Sequence, residues 1–433
     1  MNNLEKIVSL SKRRGFVFQN SEIYGGVAGI FDYGPLGVEM LNNIKNLWWK
    51  EMVQSRSNIV GIDGSIITHP RVWKASGHIS HFTEPLVDCQ DCKKRFRVDD
   101  LKDGHCPECG GKVGVPRKFN ILVETGLGVI EGEKDTYYLR GEACQNIYLN
   151  YENVLRSTRQ KVPFGIAQIG KAFRNEITPK HFLYRQREFE QWDLQFFVKP
   201  QETKKWYQYW KKERIGWYQS LINDKSRIRF RKHRDDELAH YAQISYDIEF
   251  KTSFSGWQEW EGIHWRGDWD LSRHGKFSKH DFTYQDPDTK EKFLPWIVET
   301  SGGVDRTFLY LLEDAYTEEE VNKKSRIVLK LHPKIAPIKI AVFPLVANKK
   351  QLTDQAKDIF NQLSKEFVVD WDNNGNIGKR YRRQDEIGTP WCLTIDYDTL
   401  KDNTVTVRDR DTMKQERVAI DQLLKYFKEK LND

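Results

Sequence analysis

The chain has 433 residues, enough for two or three domains, and carries 69 Lys plus Arg against 62 Asp plus Glu, a formal charge of +7. That mild excess excludes a histone-like or polybasic-tail protein, yet it suits a chain that meets a polyanion over part of its surface. With 39% apolar and 13% aromatic residues wholesale disorder is excluded, and no run of about eighteen apolar residues is available to span a membrane.

At the start of the chain, Met1-Asn2-Asn3-Leu4-Glu5-Lys6 lacks the apolar stretch and small-residue cleavage site of a secretory signal, so the expected compartment is the cytosol. The first readable element follows Gly34-Pro35-Leu36-Gly37. From Val38 to about Arg56 the residues Leu41, Ile44, Trp48 and Met52 recur at helical spacing, with Pro35 at a helix entry. This stripe exceeds what one domain edge needs to bury, so a homodimer through the helix is expected. Next come four grouped cysteines, Cys89-x2-Cys92 and Cys106-x2-Cys109, thirteen residues apart. Each pair suits a tight knuckle, and two knuckles make a tetrahedral, structural zinc site. Disulfides or idle thiols are the alternative, and they fit a reducing cytosol poorly. His105 reads as a bystander, and Cys144 and Cys392 as buried apolar residues.

From Phe164 a strand, a basic loop and a second strand are expected to run to Val198, followed by a helix over Lys204 to Leu221. A short strand at Trp296-Ile297-Val298 is expected to turn at Gly302-Gly303 into a helix carrying Phe308, Leu311, Leu312 and Ala315. Around Lys334 to Pro337 two prolines, Pro333 and Pro337, frame a change of pattern and signal a boundary. Beyond it Ile338 to Phe343, Trp391 to Tyr397 and Thr404 to Arg408 read as strands. Residues 350–365 and Asp421 to Leu431 read as helices, together a compact α/β domain.

Chemistry concentrates in the strand pair. Alternation puts Gln168, Arg174 and Glu176 on one face, and on the return strand Gln191, Asp193 and Gln195 oppose Trp192, Leu194 and Phe196. By pattern alone the polar face is either solvent-exposed or lines a site. A second arginine shifts that balance. Glu299-Thr300-Ser301-Gly302-Gly303-Val304-Asp305-Arg306 combines a carboxylate, a glycine pair and an arginine in a first helical turn. Two arginines flanking paired carboxylates suit adenylation of a carboxylic acid by ATP.

At these residues the chain resembles the class II aminoacyl-tRNA synthetases, and within them the dimeric glycyl-tRNA synthetases. Gly34-Pro35-Leu36-Gly37-Val38-Glu39 is similar to their motif 1. Gly170 to Glu176 with Arg187-Glu188-Phe189-Glu190-Gln191 is similar to motif 2, and Glu299 to Arg306 to motif 3. Ser76-Gly77-His78, Trp260-Glu261-Gly262-Ile263, Gly375 to Lys379 and Val405 to Thr412 extend the likeness nearly end to end. The resemblance implies an α+β fold with three parts. Residues 1–333 would form a catalytic domain on an antiparallel sheet, 86–118 a zinc-ribbon insertion, and 334–433 an anticodon-binding α/β domain. It implies ligation of glycine to tRNA(Gly), with ATP, magnesium and structural zinc.

By motif match, Arg174 would grip the α-phosphate of ATP and Arg306 the γ-phosphate, with Glu299 completing the catalytic set. Phe189 would stack on adenine beside Arg185 and Arg187. Asn175, Glu176, Tyr184, Gln186, Glu188, Glu259, Trp260, Gly303, Val304 and Asp305 would complete the ATP site. Glu142, Asp193 and Glu299 would hold the glycine ammonium, with Ser301 close by. Arg97, Phe189, Glu190, Gln191, Trp192, Thr300, Gly302 and Gly303 would surround the amino acid. Zinc would take Cys89, Cys92, Cys106 and Cys109. Where the family's substrate loop reads Arg-Pro-Glu-Thr-Ala-Gln-Gly, this chain has Arg140-Gly141-Glu142-Ala143-Cys144-Gln145-Asn146. Asp193 replaces a usual glutamate and Trp192 a usual methionine. Two other readings stand beside this one. One is a relative that has lost catalysis and serves as a regulatory or nucleic-acid-binding subunit, and the other is an ATP-dependent ligase for another small amino acid. Lys379-Arg380-Tyr381-Arg382-Arg383 is the better candidate for tRNA contact, and Arg227 to Arg234 reads as a solvated edge strand or a phosphate track.

Overall fold

The computed structural model describes residues 3–128, 135–177, 179, 181–239, 241–321 and 323–432. A helix α1, Asn3–Arg14, precedes α2, Pro35–Trp49, which begins at the expected proline and ends in a wider turn over Lys50–Gln54. Gly37 lies in the first turn of α2 because a Cβ there would fall 1.8 Å from the Phe16 carbonyl oxygen. The central sheet takes seven strands in chain order: β1 Ile59–Gly61, β2 Phe164–Phe173, β3 Glu188–Val198, β4 Ile228–Lys232, β5 Ile244–Thr252, β6 Gly256–Gly267 and β7 Trp296–Gly303. Their spatial order is β4-β5-β6-β7-β3-β2-β1, antiparallel throughout except for β1 beside β2.

One face of this sheet meets helices α2, α3 (Thr203–Gln219) and α4 (Val304–Ala315). Ile44, Trp48 and Met52 of the α2 stripe pack there with Trp192, Leu194 and Phe308. Trp48 stacks on Trp192 with ring centroids 5.5 Å apart. The stripe is therefore buried inside its own chain, and the apolar excess inferred from it is absent. A second cluster on the other face joins Tyr148, Phe164, Phe197 and Ile297. On the same face as this second cluster the polar half of the strand alternation, Gln168, Asp193 and Gln195, is buried rather than solvated.

The strand into Gly302-Gly303 is longer than expected. Both glycines belong to β7, and neither has a left-handed backbone. Gly302 is required by close approach, since a Cβ would sit 2.5 Å from Trp192 Nε1. A three-stranded sheet of Thr83–Asp88, Arg95–Arg97 and Arg117–Asn120 carries the cysteine segment.

The last hundred residues form a second layered unit. Strands β8 Ile340–Pro344, β9 Val369–Trp371, β10 Trp391–Ile395, β11 Thr404–Asp409 and β12 Gln415–Ala419 lie in the order β9-β8-β10-β11-β12. Helices α5 (Lys350–Leu363), α6 (Ile377–Ile387) and α7 (Leu423–Asn432) accompany them. The periodicity omitted α6, β9 and β12. Helix α6 has clear end signals all the same. Asn376 caps it, accepting from the Lys379 N–H at 3.0 Å, and Gly388 terminates it at φ 82°.

Candidate functional site

A cleft of about 410 Å³ opens on the polar face of β3, β6 and β7. The register explains why. Asp193 of β3 pairs with Ser301 of β7, and Ser301 pairs in turn with Gly262 of β6, so side chains from three neighbouring strands converge. Its lining includes Arg174, Glu176, Tyr184, Arg185, Gln186, Phe189, Glu190, Gln191, Glu259, Gly303, Asp305 and Arg306 together with Glu142, Asp193, Glu299, Ser301 and Gly302.

The arginines hold different positions. Arg174, one residue beyond β2, donates to the Gly141 carbonyl at 3.1 Å, and its guanidinium carbon lies 5.0 Å from the Phe82 ring centroid and 5.3 Å from that of Phe189. Arg306, in the first turn of α4, lies over Tyr184 at 4.7 Å and donates to the Glu259 carbonyl at 3.0 Å. Burial works against its charge, but Glu259 keeps its pKa above the ordinary value. The floor is acidic. Glu299 accepts from Gln195 at 2.7 Å, from Arg266 at 3.0 Å and from His264. Burial opposes its ionisation, yet Arg266 and His264 bring its pKa down to about 2. Glu142 meets His78 Nε2 at 3.0 Å and is held well below the usual range, against its burial, by His78 and Arg266. Asp193 differs: burial, then the charge of Glu299, push its carboxyl well above that range. One of its oxygens accepts from Gln195, and the other, Oδ2, is buried without a hydrogen-bond partner.

Several expected residues lie elsewhere. Trp192 is fully buried on the opposite strand face, donating to Glu261 at 3.1 Å, and so supports the sheet from behind. Trp260 and Val304 are core residues, and Thr300 is enclosed within β7, outside the cleft wall. Arg187 spends its guanidinium on the carbonyls of Glu176 and Ala28, Glu188 pairs with Lys171, and Asn175 is exposed. Arg97 stands behind the wall, paired with the lining residue Glu84 at 3.1 Å. Residues 178 and 180 of the motif 2 loop lie outside the described residues. Sequence reasoning missed Arg266, His264 and Gln195 as the frame around Glu299. Two-residue spacing along β6 from Gly262 was the available signal for His264 and Arg266.

The class II tRNA synthetase core model (G, H, P, S and T) matches residues 127–315, and the anticodon binding domain model matches residues 339–430. A glycine–tRNA ligase of Treponema denticola is 50% identical over 442 aligned residues, covering 100% of this chain and 98% of the relative. One from Borreliella burgdorferi is 51% identical over 436, covering 99% and 97%. One from Caldanaerobacter subterraneus subsp. tengcongensis is 48% identical over 457, covering 99% and 98%. The chain belongs to the glycine–tRNA ligase family.

In this ligase the four clustered cysteines are free thiols whose sulfurs lie within 4.8 Å of one another. Cys89 and Cys109 are 3.5 Å apart and Cys92 and Cys106 3.7 Å. A tetrahedron with Zn–S bonds of about 2.3 Å has edges of roughly 3.8 Å, so the donor set fits zinc. Each knuckle turns where expected: the Cys89 N–H bonds the Lys94 carbonyl, and the Cys106 N–H that of Gly111. His105 is outside the cluster.

The ligase's basic segments are largely paired internally. Along the edge strand β4 and its flanks, Arg227 meets Glu313, Arg229 meets Glu249, and Arg231 meets Glu237. In α6, Arg380 is buried on the carbonyls of Pro344, Asn373 and Gly375, and Arg383 is held by Asp372. Arg380 and Arg383 therefore build their own domain, whereas Lys379 is exposed and the Arg382 side chain is 37% exposed.

Proposed function

We propose that this ligase activates glycine in the cleft and transfers it to the 3′-terminal adenosine of tRNA(Gly), with Arg174 on the α-phosphate of ATP, Arg306 on the γ-phosphate and Phe189 against adenine. The observation that carries this reading is the meeting in one cleft of two arginines and an aromatic ring with three buried carboxylates. Glycine's carboxylate attacks the α-phosphorus in line, pyrophosphate leaves, and the tRNA hydroxyl then attacks the adenylate carbonyl and releases AMP. Magnesium, held near Glu259, would neutralise phosphate charge. Glu142, Asp193, Glu299 and Ser301 receive the ammonium, and the unpartnered Asp193 oxygen supports this use. Recognition of so small a substrate rests on those acceptors and on close walls around the α-carbon.

The catalytic division at 1–333, the ribbon at 86–118 and the anticodon-binding domain at 334–433 complete the reading, with zinc on the four ribbon cysteines. A homodimer in the cytosol is part of it. Support for the dimer comes from Ile23 and Tyr24, 87% and 88% exposed, rather than from the buried α2 stripe. Amino-acid-dependent exchange of pyrophosphate into ATP, followed by charging of tRNA(Gly), tests the assignment. Glycine should support both, and absence of glycine-dependent exchange would refute it.

A further inference from the structure

We propose that Cys144, Asp193 and Glu299 form a second, inhibitory metal site, at which a thiophilic divalent cation such as Zn²⁺ or Cd²⁺ excludes glycine. This inference rests on the reading of the same acidic floor as the ammonium site. One donor oxygen or sulfur from each of the three residues lies within 4.8 Å of the others, and all three residues are buried. The Cys144 thiol donates to Glu142 Oε1 at 2.9 Å, so a fourth anionic group adjoins the cluster. Asp193 is 1% exposed, and its Oδ2 has no hydrogen-bond partner, which leaves an acceptor ready for a cation.

The Gln195 amide now donates to both Asp193 and Glu299 and screens the two carboxylates from each other. A divalent cation performs that screening with far more charge, taking the amide's place on Glu299. The Cys144 thiol points its hydrogen at Glu142, so it is the protonated form that meets an arriving metal. On binding, the sulfur–hydrogen bond breaks, the sulfur pair coordinates the metal, and the proton passes to solvent. The soft sulfur selects zinc or cadmium over the magnesium that accompanies ATP. Because metal and ammonium need the same oxygens, their binding is mutually exclusive.

The test uses full-length protein with its ribbon saturated by zinc and with free metal buffered. Cd²⁺ titration of wild type and Cys144→Ala, followed by sulfur-to-cadmium absorption, should show one additional thiolate in the wild type, removed by glycine. In pyrophosphate exchange, free metal at about ten times its Kd should raise the apparent glycine KM about tenfold in wild type alone. Equal absorption and equal inhibition in the two proteins would overturn the site. A wild-type thiolate signal that glycine leaves unchanged, in an enzyme that exchanges with glycine, would overturn the exclusion. If the thiolate signal is present but glycine supports no exchange in either protein, the metal site stands and the glycine assignment falls.

Discussion

Arg174 and Arg306 face one cleft from two different chain segments, one beyond β2 and one opening α4. Each is expected to contribute charge stabilisation that grows as phosphate charge develops. Arg174→Ala and Arg306→Ala should each lower exchange by two orders of magnitude or more, a loss of roughly 3 kcal/mol, with the far-ultraviolet dichroism unchanged. Full exchange in either variant would contradict their roles. Asp193 adds a pH dependence whose sign follows from its raised pKa. Below that pKa it is protonated and can no longer serve as an anionic acceptor for the ammonium. The glycine KM should therefore rise on acidification, starting above the ordinary carboxylate range, while the ATP KM changes little. Asp193→Asn should have a high glycine KM and a flattened profile, and an unchanged wild-type profile would count against Asp193 as a ligand. At this scale the two-residue alternation was legible, separating Asp193 from Trp192 correctly. What it lacked was burial, because a polar face inside a cleft and one in water have the same pattern. The partners of Glu299 were hidden for a related reason, since Arg266 reaches it from another strand.

Among the elements, the cysteine ribbon was readable because metal spacing is local: two knuckles and a sulfur tetrahedron need few contacts from elsewhere. Its third strand, Arg117–Asn120, leads directly to Ile121, which lines the cleft and whose carbonyl accepts from the Asn175 N–H at 2.7 Å. Stripping the metal should open the ribbon to protease between Cys89 and Cys109 and lower exchange several-fold without abolishing it. Both effects should reverse with zinc. Protein purified under reducing, chelator-free conditions that contains no zinc would refute the site. Helix α6 escaped the reading because its apolar stripe is thin. Arg380, Gln384 and Asp385 are buried on that helix, held by carbonyls and ion pairs instead of hydrocarbon. The Gly302-Gly303 pair misled for the opposite reason, since glycine signals a turn and a close approach equally.

For the whole molecule, the last domain is tied to the catalytic core by more than a peptide connection. Ile335, Ala336 and Ile338 pack into the first core, and Lys339 Nζ donates to the carbonyls of Pro333, Lys334 and Ala336 at 2.8–2.9 Å. Asp385 of α6 receives Arg326 at 2.8 Å and Arg408 at 2.9 Å. Arg326 belongs to the hairpin of Tyr316–Val321 and Lys324–Leu329 that continues from α4. Removing one member of such a buried group costs about 3–5 kcal/mol. Asp385→Asn should therefore loosen the junction and raise the KM for tRNA well beyond any change in exchange. Equal loss of both activities would point to general unfolding instead. The Arg326–Asp385 contact was not legible in the sequence, because it pairs residues 59 positions apart across the domain boundary. The central claim, that the cleft chooses glycine and joins it to ATP, is tested most directly by amino-acid-dependent pyrophosphate exchange run with each amino acid in turn. Glycine alone should support rapid exchange, with alanine and serine poor. Exchange with serine or alanine equal to that with glycine would contradict the account.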